Sequence, residues 1–319
     1  IDSLRGATKN LGINAVVENT EAAGLKAFTS TGFTLGTGAS GYNDNTEKFV
    51  SYSWLAGGAP TADNTNAAGA APVSGSVMVN GSANTDNLVG TKAALKISAN
   101  TSSGFSIVRW DSSANAAVTI DHKLGKVPKM YWVKAVDQDY GWYVYHEGIG
   151  NTHYLLLHDE ANPADNVYWN DTTPTSTVFS VSSASALEGV NHTGKDFIAY
   201  LWADVEGFSK IGSYTGNNNH DGPFIYTGFK PSMFFIKRTD TAVRQWNVYD
   251  DQRSTYNPVD YRYWFDAATA NTSNGEGQID FLSNGVKIRD DQDWLNANGS
   301  VYIFAAWARS PFASNNRAR

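Results

Sequence analysis

Histidine and carboxylate clusters are where this sequence would hold chemistry, if it holds any. Asp121 and His122 fall in "DHKLGK", and His146, Glu147 and His153 in "YHEGIGNTH". Two imidazoles beside a carboxylate make a transition-metal donor set, but zinc needs a third protein ligand at a fixed spacing, and no HExxH pattern is present. "RDDQDW" gathers Asp290, Asp291 and Asp293, oxygen donors of the kind calcium takes. No glycine-centred loop with a closing glutamate follows them in register. Glycosidic cleavage would need two carboxyl groups roughly 5 to 9.5 Å apart, and no local motif singles out such a pair. The chain has no cysteine, which removes thiolate sites, disulfides and a cysteine nucleophile. The expectation is a protein that is not an enzyme, with no catalytic residue, no metal and no cofactor.

Composition bears on which elements could position any site. The 319 residues are 41% hydrophobic and 13% aromatic, enough to bury substantial cores, and the net charge of −7 argues against a nucleic-acid partner. No run approaches the roughly 18 consecutive apolar residues of a membrane-spanning helix. Runs such as "FSIVRW", "KMYWVKAV", "GWYVYH", "TVFSVSS" and "FIAYLWAD" are short, rich in Val, Ile, Tyr, Phe and Trp, and bounded by Gly, Asn, Asp, Ser and Pro. Helix-period stripes are nearly absent. This pattern predicts an all-β protein of antiparallel β-sandwich type, jelly-roll or lectin-like.

Internal repetition organises the chain further. Gly104-Phe105-Ser106 recurs as Gly207-Phe208-Ser209, Pro128 as Pro231 and Lys134 as Lys237, all at one offset. After a one-residue insertion, Trp142, Val144 and Tyr145 align with Trp246, Val248 and Tyr249; Asn191, Ile198 and Trp202 align with Asn296, Ile303 and Trp307. Residues 28–56 align without a gap to 281–309, and Asp2 and Arg5 match Asp250 and Arg253. The expected organisation is tandem repeats of about 100 residues: residues 1–56 as the C-terminal half of a first sandwich, 57–103 as a Gly/Ala/Asn/Ser-rich connector, 104–206 and 207–313 as sandwiches, and 314–319 as a C-terminal tail. The connector is expected to link domains, with one short hairpin near "GSVMVNGS", and to form no core of its own. The first half-copy is expected to pack against protein outside itself, an upstream segment or a neighbouring subunit, because Phe33, Leu35, Phe49, Tyr52 and Trp54 would otherwise face water.

The copies also sort individual residues. Trp142 and Val144, like Trp246 and Val248, share one strand face and read as core. His146 and Asp250 occupy the same polar strand-end slot, where either can bond nearby backbone. Trp54, Trp202 and Trp307 read as core anchors of central strands. "ANPADNVYWND" at 161–171 and "STYNPVDYRYW" at 254–264 differ between copies. There Tyr168, Trp169, Tyr256, Tyr261, Tyr263 and Trp264 are candidate glycan or receptor contacts, since aromatic faces stack on sugars. The alternative is that they cover the sandwiches or join subunits.

Taken together, "AGGAPTADNTNAAGAAPVSGSV", "KISANTSSGFSIV", "HKLGKVPKMYWVK", "GFSKIGSYTGN", "DGPFIYTGFKPSMFFIKRTD" and "IDFLSNGVKIR" resemble a family of repetitive tail-fibre and other virion structural proteins of tailed bacteriophages, common in marine and other aquatic phages. The resemblance spans nearly the whole chain and brings no catalytic residues with it. It implies a virion protein on an external appendage, a tail fibre engaged in attachment to a host surface. The implied partners are other copies of itself, a homotrimer being favoured, other virion proteins, and a bacterial surface glycan or outer-membrane receptor. A capsid decoration or tail-shaft protein without a receptor role, and a glycan depolymerase, are the alternatives.

Overall fold

The structure is a computed structural model that describes all residues except 14–16, 38–40, 113–115, 183–187, 268–274 and 310–319. The expected tail at 314–319 lies outside the described residues. Regular structure is almost entirely β. The first segment holds two hairpins, β1 (Lys9–Asn10) with β2 (Asn19–Thr20) and β3 (Leu25–Thr29) with β4 (Gly32–Leu35). Next come β5 (Val77–Val79), β6 (Ser82–Ala83) and β7 (Lys96–Asn100), then β8 (Phe105–Asp111), β9 (Val118–Asp121), β10 (Pro128–Ala135), β11 (Tyr143–His146), β12 (His153–Leu156), β13 (Ala164–Asp165), β14 (Val178–Val181) and β15 (Asp196–Ala203). The last stretch supplies β16 (Ser209–Thr215), β17 (Phe224–Tyr226), β18 (Met233–Arg238), β19 (Asn247–Asp250), β20 (Arg262–Trp264), β21 (Ile279–Leu282), β22 (Gly285–Ile288) and β23 (Val301–Trp307).

Two large sheets carry the architecture. One runs β13-β12-β11-β10-β15-β8-β7-β5-β6 and the other β16-β23-β18-β19-β20. From β8 to β12 the first order is β8-β15-β10-β11-β12, the same arrangement as β16-β23-β18-β19-β20 in the second. The registers agree as well: Met130 pairs with Trp202, and Met233 with Trp307. β15 and β23 are central strands, each flanked on both edges, which is why "FIAYLWAD" and "YIFAAWA" are apolar on both faces.

Each large sheet has a small companion, β14-β9 for the first and β17-β22-β21 for the second. The sandwich between the first sheet and β14-β9 is filled by Trp110, Tyr131, Trp169, Phe179 and Phe197. Trp110 stacks on Phe197 at 5.5 Å and meets Phe179 edge-on at 5.7 Å. Side chains of opposite parity on the same strands, including Phe105, Trp132, Ile198 and Trp202, turn to a second core shared with Phe235, Trp246 and Trp307 of the other sheet.

The connector differs from the expectation of a mere link. Val77, Leu88, Ala94 and Ile97 are fully buried in the first sandwich, and β7 extends the large sheet antiparallel to β8 while β5 runs parallel to β7. Its few apolar residues suffice because they add to a core that other strands have already assembled. The hairpin near "GSVMVNGS" is β5-β6, turned at Asn80 and Gly81, both at positive φ, as a two-residue hairpin turn requires.

These cores predict a sharp contrast between aromatic residues. Trp202→Ala, at a site 1% exposed, is expected to lower unfolding stability by about 3–5 kcal/mol, whereas Tyr256→Ala, at 86% exposure, is expected to change it by less than about 0.5 kcal/mol. Urea unfolding of the two variants checks this.

Candidate functional site

Where the three parts of the chain meet, Trp54, Trp202 and Trp307 form a triangle. The centroid separations are 5.6 Å for Trp54–Trp202, 5.3 Å for Trp54–Trp307 and 6.1 Å for Trp202–Trp307, with interplanar angles of 70°, 72° and 64°. All three pairs are edge-to-face, the arrangement in which a ring's positive edge meets its neighbour's negative face.

Polar seams run outward from this triangle, each built from one of the matched strand-end positions. Asp250 Oδ1 accepts the backbone N–H groups of Gln252 and Arg253, while its Oδ2 accepts the Tyr52 hydroxyl at 2.5 Å and is bridged by the Arg253 guanidinium at 2.6 Å. Asp2 repeats this plan: Oδ1 accepts from the amides of Leu4 and Arg5, and Oδ2 accepts from the Tyr200 hydroxyl at 2.8 Å and from Arg5 Nε at 2.6 Å. At the third position His146 Nδ1 accepts the N–H of Gly148. That fixes the proton on Nε2, which donates to the carbonyl of Phe304 at 3.1 Å. One atom closes the local turn in each case, and the other reaches a different part of the chain.

The tryptophans immediately before β11 and β19 make a parallel set of bonds. Trp142 Nε1 donates to the carbonyl of Gly12 at 2.8 Å, and Trp246 Nε1 to the carbonyl of Leu156 at 3.0 Å. Both indoles are buried. Tyr52 further stacks on Tyr263 at 6.2 Å, beneath the Arg253 guanidinium.

Burial sets the protonation states of these groups. Desolvation pushes His146 and His122 down to about 4, so both are neutral at physiological pH. His122 has its own backbone clamp, with Nδ1 accepting from Leu124 and Nε2 bonding the Thr175 carbonyl. Burial alone would raise Asp250, but the Tyr52 hydroxyl and Arg253 outweigh it and hold the carboxyl below its ordinary range. Asp2 is held down in the same sense by Arg5 and Tyr200. Desolvation raises the Tyr52 and Tyr200 hydroxyls, keeping them protonated as donors.

The matched lysines, noticed in the sequence only as repeat markers, are buried cations. Lys134 donates to the Tyr140 carbonyl, and Lys237 to the carbonyls of Arg244 at 2.6 Å and Glu160 at 3.1 Å. Burial lowers both to about 8.

The acidic cluster is divided by the fold. Asp293 is drawn off into ion pairs with Arg244 and Arg238, the latter at 3.5 Å. Asp290 and Asp291 instead meet His220, which the sequence reading missed because it lies far away in the chain. Ligating atoms of these three lie within 4.8 Å of one another. Both Asp290 oxygens already accept backbone N–H groups, from Gly277 and Asp291. His146, His153 and Glu147 make no such group among the described residues.

The candidate glycan contacts separate into three groups. Tyr168 and Trp169 sit in a 3-10 turn (Val167–Trp169) that points them into the first sandwich, where they are 7% and 0% exposed. Burial withdraws them from any contact with a ligand. Tyr263 and Trp264, half-buried on β20, serve the Tyr52 seam and a bond to Asn247. Tyr256 and Tyr261 stand at the surface. A further open groove of about 500 Å³ runs along the edge strand β16, lined by Glu147, Lys210, Ser213, Phe224 and Tyr226. The exposed aromatics of that groove, Phe224 and Tyr226, lie in "PFIYTG", a run that entered the sequence reading only through the family resemblance.

The fold and these seams define an all-β sandwich protein whose polar groups join its parts. The chain belongs to the family described as domain of unknown function DUF7483, whose model matches residues 1–86 and, overlapping them, residues 60–311. Comparison with curated proteins and with solved structures finds no match.

Two outcomes follow. A histidine whose folded value lies below its unfolded value contributes nothing above pH ~6.5 and costs stability as the pH falls towards 4, because only the unfolded chain takes up the proton. Thermal melts are therefore expected to weaken across that window, with a loss on the order of 3 kcal/mol per histidine by its lower end. His146→Gln, which keeps one acceptor and one donor, is expected to reduce the slope by one proton. Separately, a melt with EDTA is expected to match one without it. A calcium-reversible fall in Tm would instead assign a cation to His220, Asp290 and Asp291.

Proposed function

We propose that this chain is a non-catalytic structural module of a tailed-bacteriophage virion, part of a tail fibre or comparable external appendage, whose surface contacts the host. The observation that carries the reading is the use made of the polar strand-end groups. Asp2, His146 and Asp250 each close a turn and bond across to another part of the chain, so groups that could do chemistry are engaged in cohesion. Extensive aromatic seams suit a protein that must hold its shape outside a cell, without disulfides. The sequence resemblance to phage tail-fibre proteins supplies the setting, and with it a homo-oligomeric assembly, a trimer being favoured.

Host contact falls in this reading to the exposed aromatics, Tyr256 and Tyr261, which can stack on sugar faces while neighbouring amides bond hydroxyls. The purified chain is expected to compete with the parent phage for host cells. Tyr256→Ala with Tyr261→Ala is expected to weaken that competition about tenfold with Tm unchanged. Antibody labelling of intact particles that found the chain absent from the virion would overturn the proposal.

A further inference from the structure

The three matched segments 49–55, 197–203 and 302–308 converge on the tryptophan triangle, and the seams between them run in one direction. Asp2 reaches Tyr200, His146 reaches Phe304, and Asp250 returns to Tyr52. Such a closed cycle is the pattern of three related units around a pseudo-threefold axis. Two positions of the cycle have their central strand flanked on both sides, β15 by β10 and β8, and β23 by β18 and β16. At the third, no backbone group of 49–54 has a hydrogen-bond partner among the described residues.

The side chains of this third position show the same asymmetry. Tyr52 and Trp54 pack inward on the shared core, while Phe49 is 49% and Leu55 65% exposed; their counterparts Phe197, Ala203, Tyr302 and Ala308 are all buried. Phe28 and Leu35 in the adjacent hairpin are exposed where Phe281 and Ile288 are buried. A groove of about 420 Å³ lies along 50–55, bordered by Met233, Asp250 and Trp307.

We propose that residues 48–55 are a docking seat for a pair of β-strands of this family's own repeat, counterparts of β8 with β10 and of β16 with β18, one pairing along each edge. Main-chain bonds would supply affinity and alternate apolar side chains would cover Phe49 and Leu55, the physics of strand addition. The occupant is not a second whole copy of this chain. In such a copy β8 lies between β15 and β7, β10 between β15 and β11, and β18 between β23 and β19, so that among the described residues only β16 of these has an unpaired edge. One spare edge cannot flank a strand on both sides.

The test presents the strand pair to the full chain. Residues 204–248 are duplicated ahead of Ile1, so that Val248 precedes Ile1 as it precedes Tyr249, and the extended and original chains are compared by hydrogen exchange and melting. Amides of 49–54 are expected to exchange rapidly in the original and slowly in the extended chain, with Tm higher by about 5 °C or more. Ser51→Pro, which removes a ladder donor, is expected to abolish the gain in the extended chain and leave the original unaffected. Rapid exchange and an unchanged Tm in the extended chain overturn the proposal. So does an original chain that forms a stable dimer with 49–54 already protected, which would make a second copy the occupant.

Discussion

The edge-to-face triangle of Trp54, Trp202 and Trp307 is the constraint on which the rest of the molecule depends. Three large rings meeting at 5.3 to 6.1 Å leave little freedom in how the segments carrying them approach, since aromatic pairs of this kind lose their electrostatic complementarity when they are rotated towards face-to-face contact. The parity of every adjoining strand follows from this. Once Trp202 faces the triangle, Leu201 and Ala199 must face the first sandwich, because successive side chains of a strand alternate.

Around that apolar centre the polar seams settle relative orientation. A buried carboxylate is tolerable only when it is bonded and paired, and Asp2 and Asp250 achieve this by recruiting an arginine three residues on and a tyrosine from elsewhere in the chain. A tyrosine that failed to arrive would leave a buried acceptor short of a donor, which costs more than the bond itself contributes. His146 meets the same requirement without charge, and so needs no arginine. The unequal chemistry of equivalent positions gives each seam its own partner.

Much of this was legible in the sequence. The two-sided apolarity of "FIAYLWAD" announced a central strand, and the two large sheets place the segments matched by one offset, around Lys134 and Lys237, in the same strand order. The slot joining His146 with Asp250 was visible as a polar strand end. The reach of its second atom was not, since Phe304 and Tyr52 lie far off in the chain. Tyr168 and Trp169 were left between two roles, ligand contact and cover for the sandwich. Their Asn-, Asp- and Pro-rich segment allowed either, and a 3-10 turn capped by Asn166 decides for the second by rotating both into the core.

By itself, then, the sequence determined local matters: which runs form strands, which face of each is apolar, where turns fall, and that residues 1–56 carry apolar side chains their own segment does not cover. These follow from side-chain type and a period of two, which need no knowledge of distant contacts. Only the tertiary structure decided that the matched tryptophans meet one another, that connector residues 77–100 complete the first sandwich, that Asp293 leaves Asp290 and Asp291 to join Arg244, and that His220 takes its place. Each of these depends on which surfaces bury the most area while leaving no charge unpaired. That balance is struck between residues far apart in the chain, and a linear pattern does not contain it.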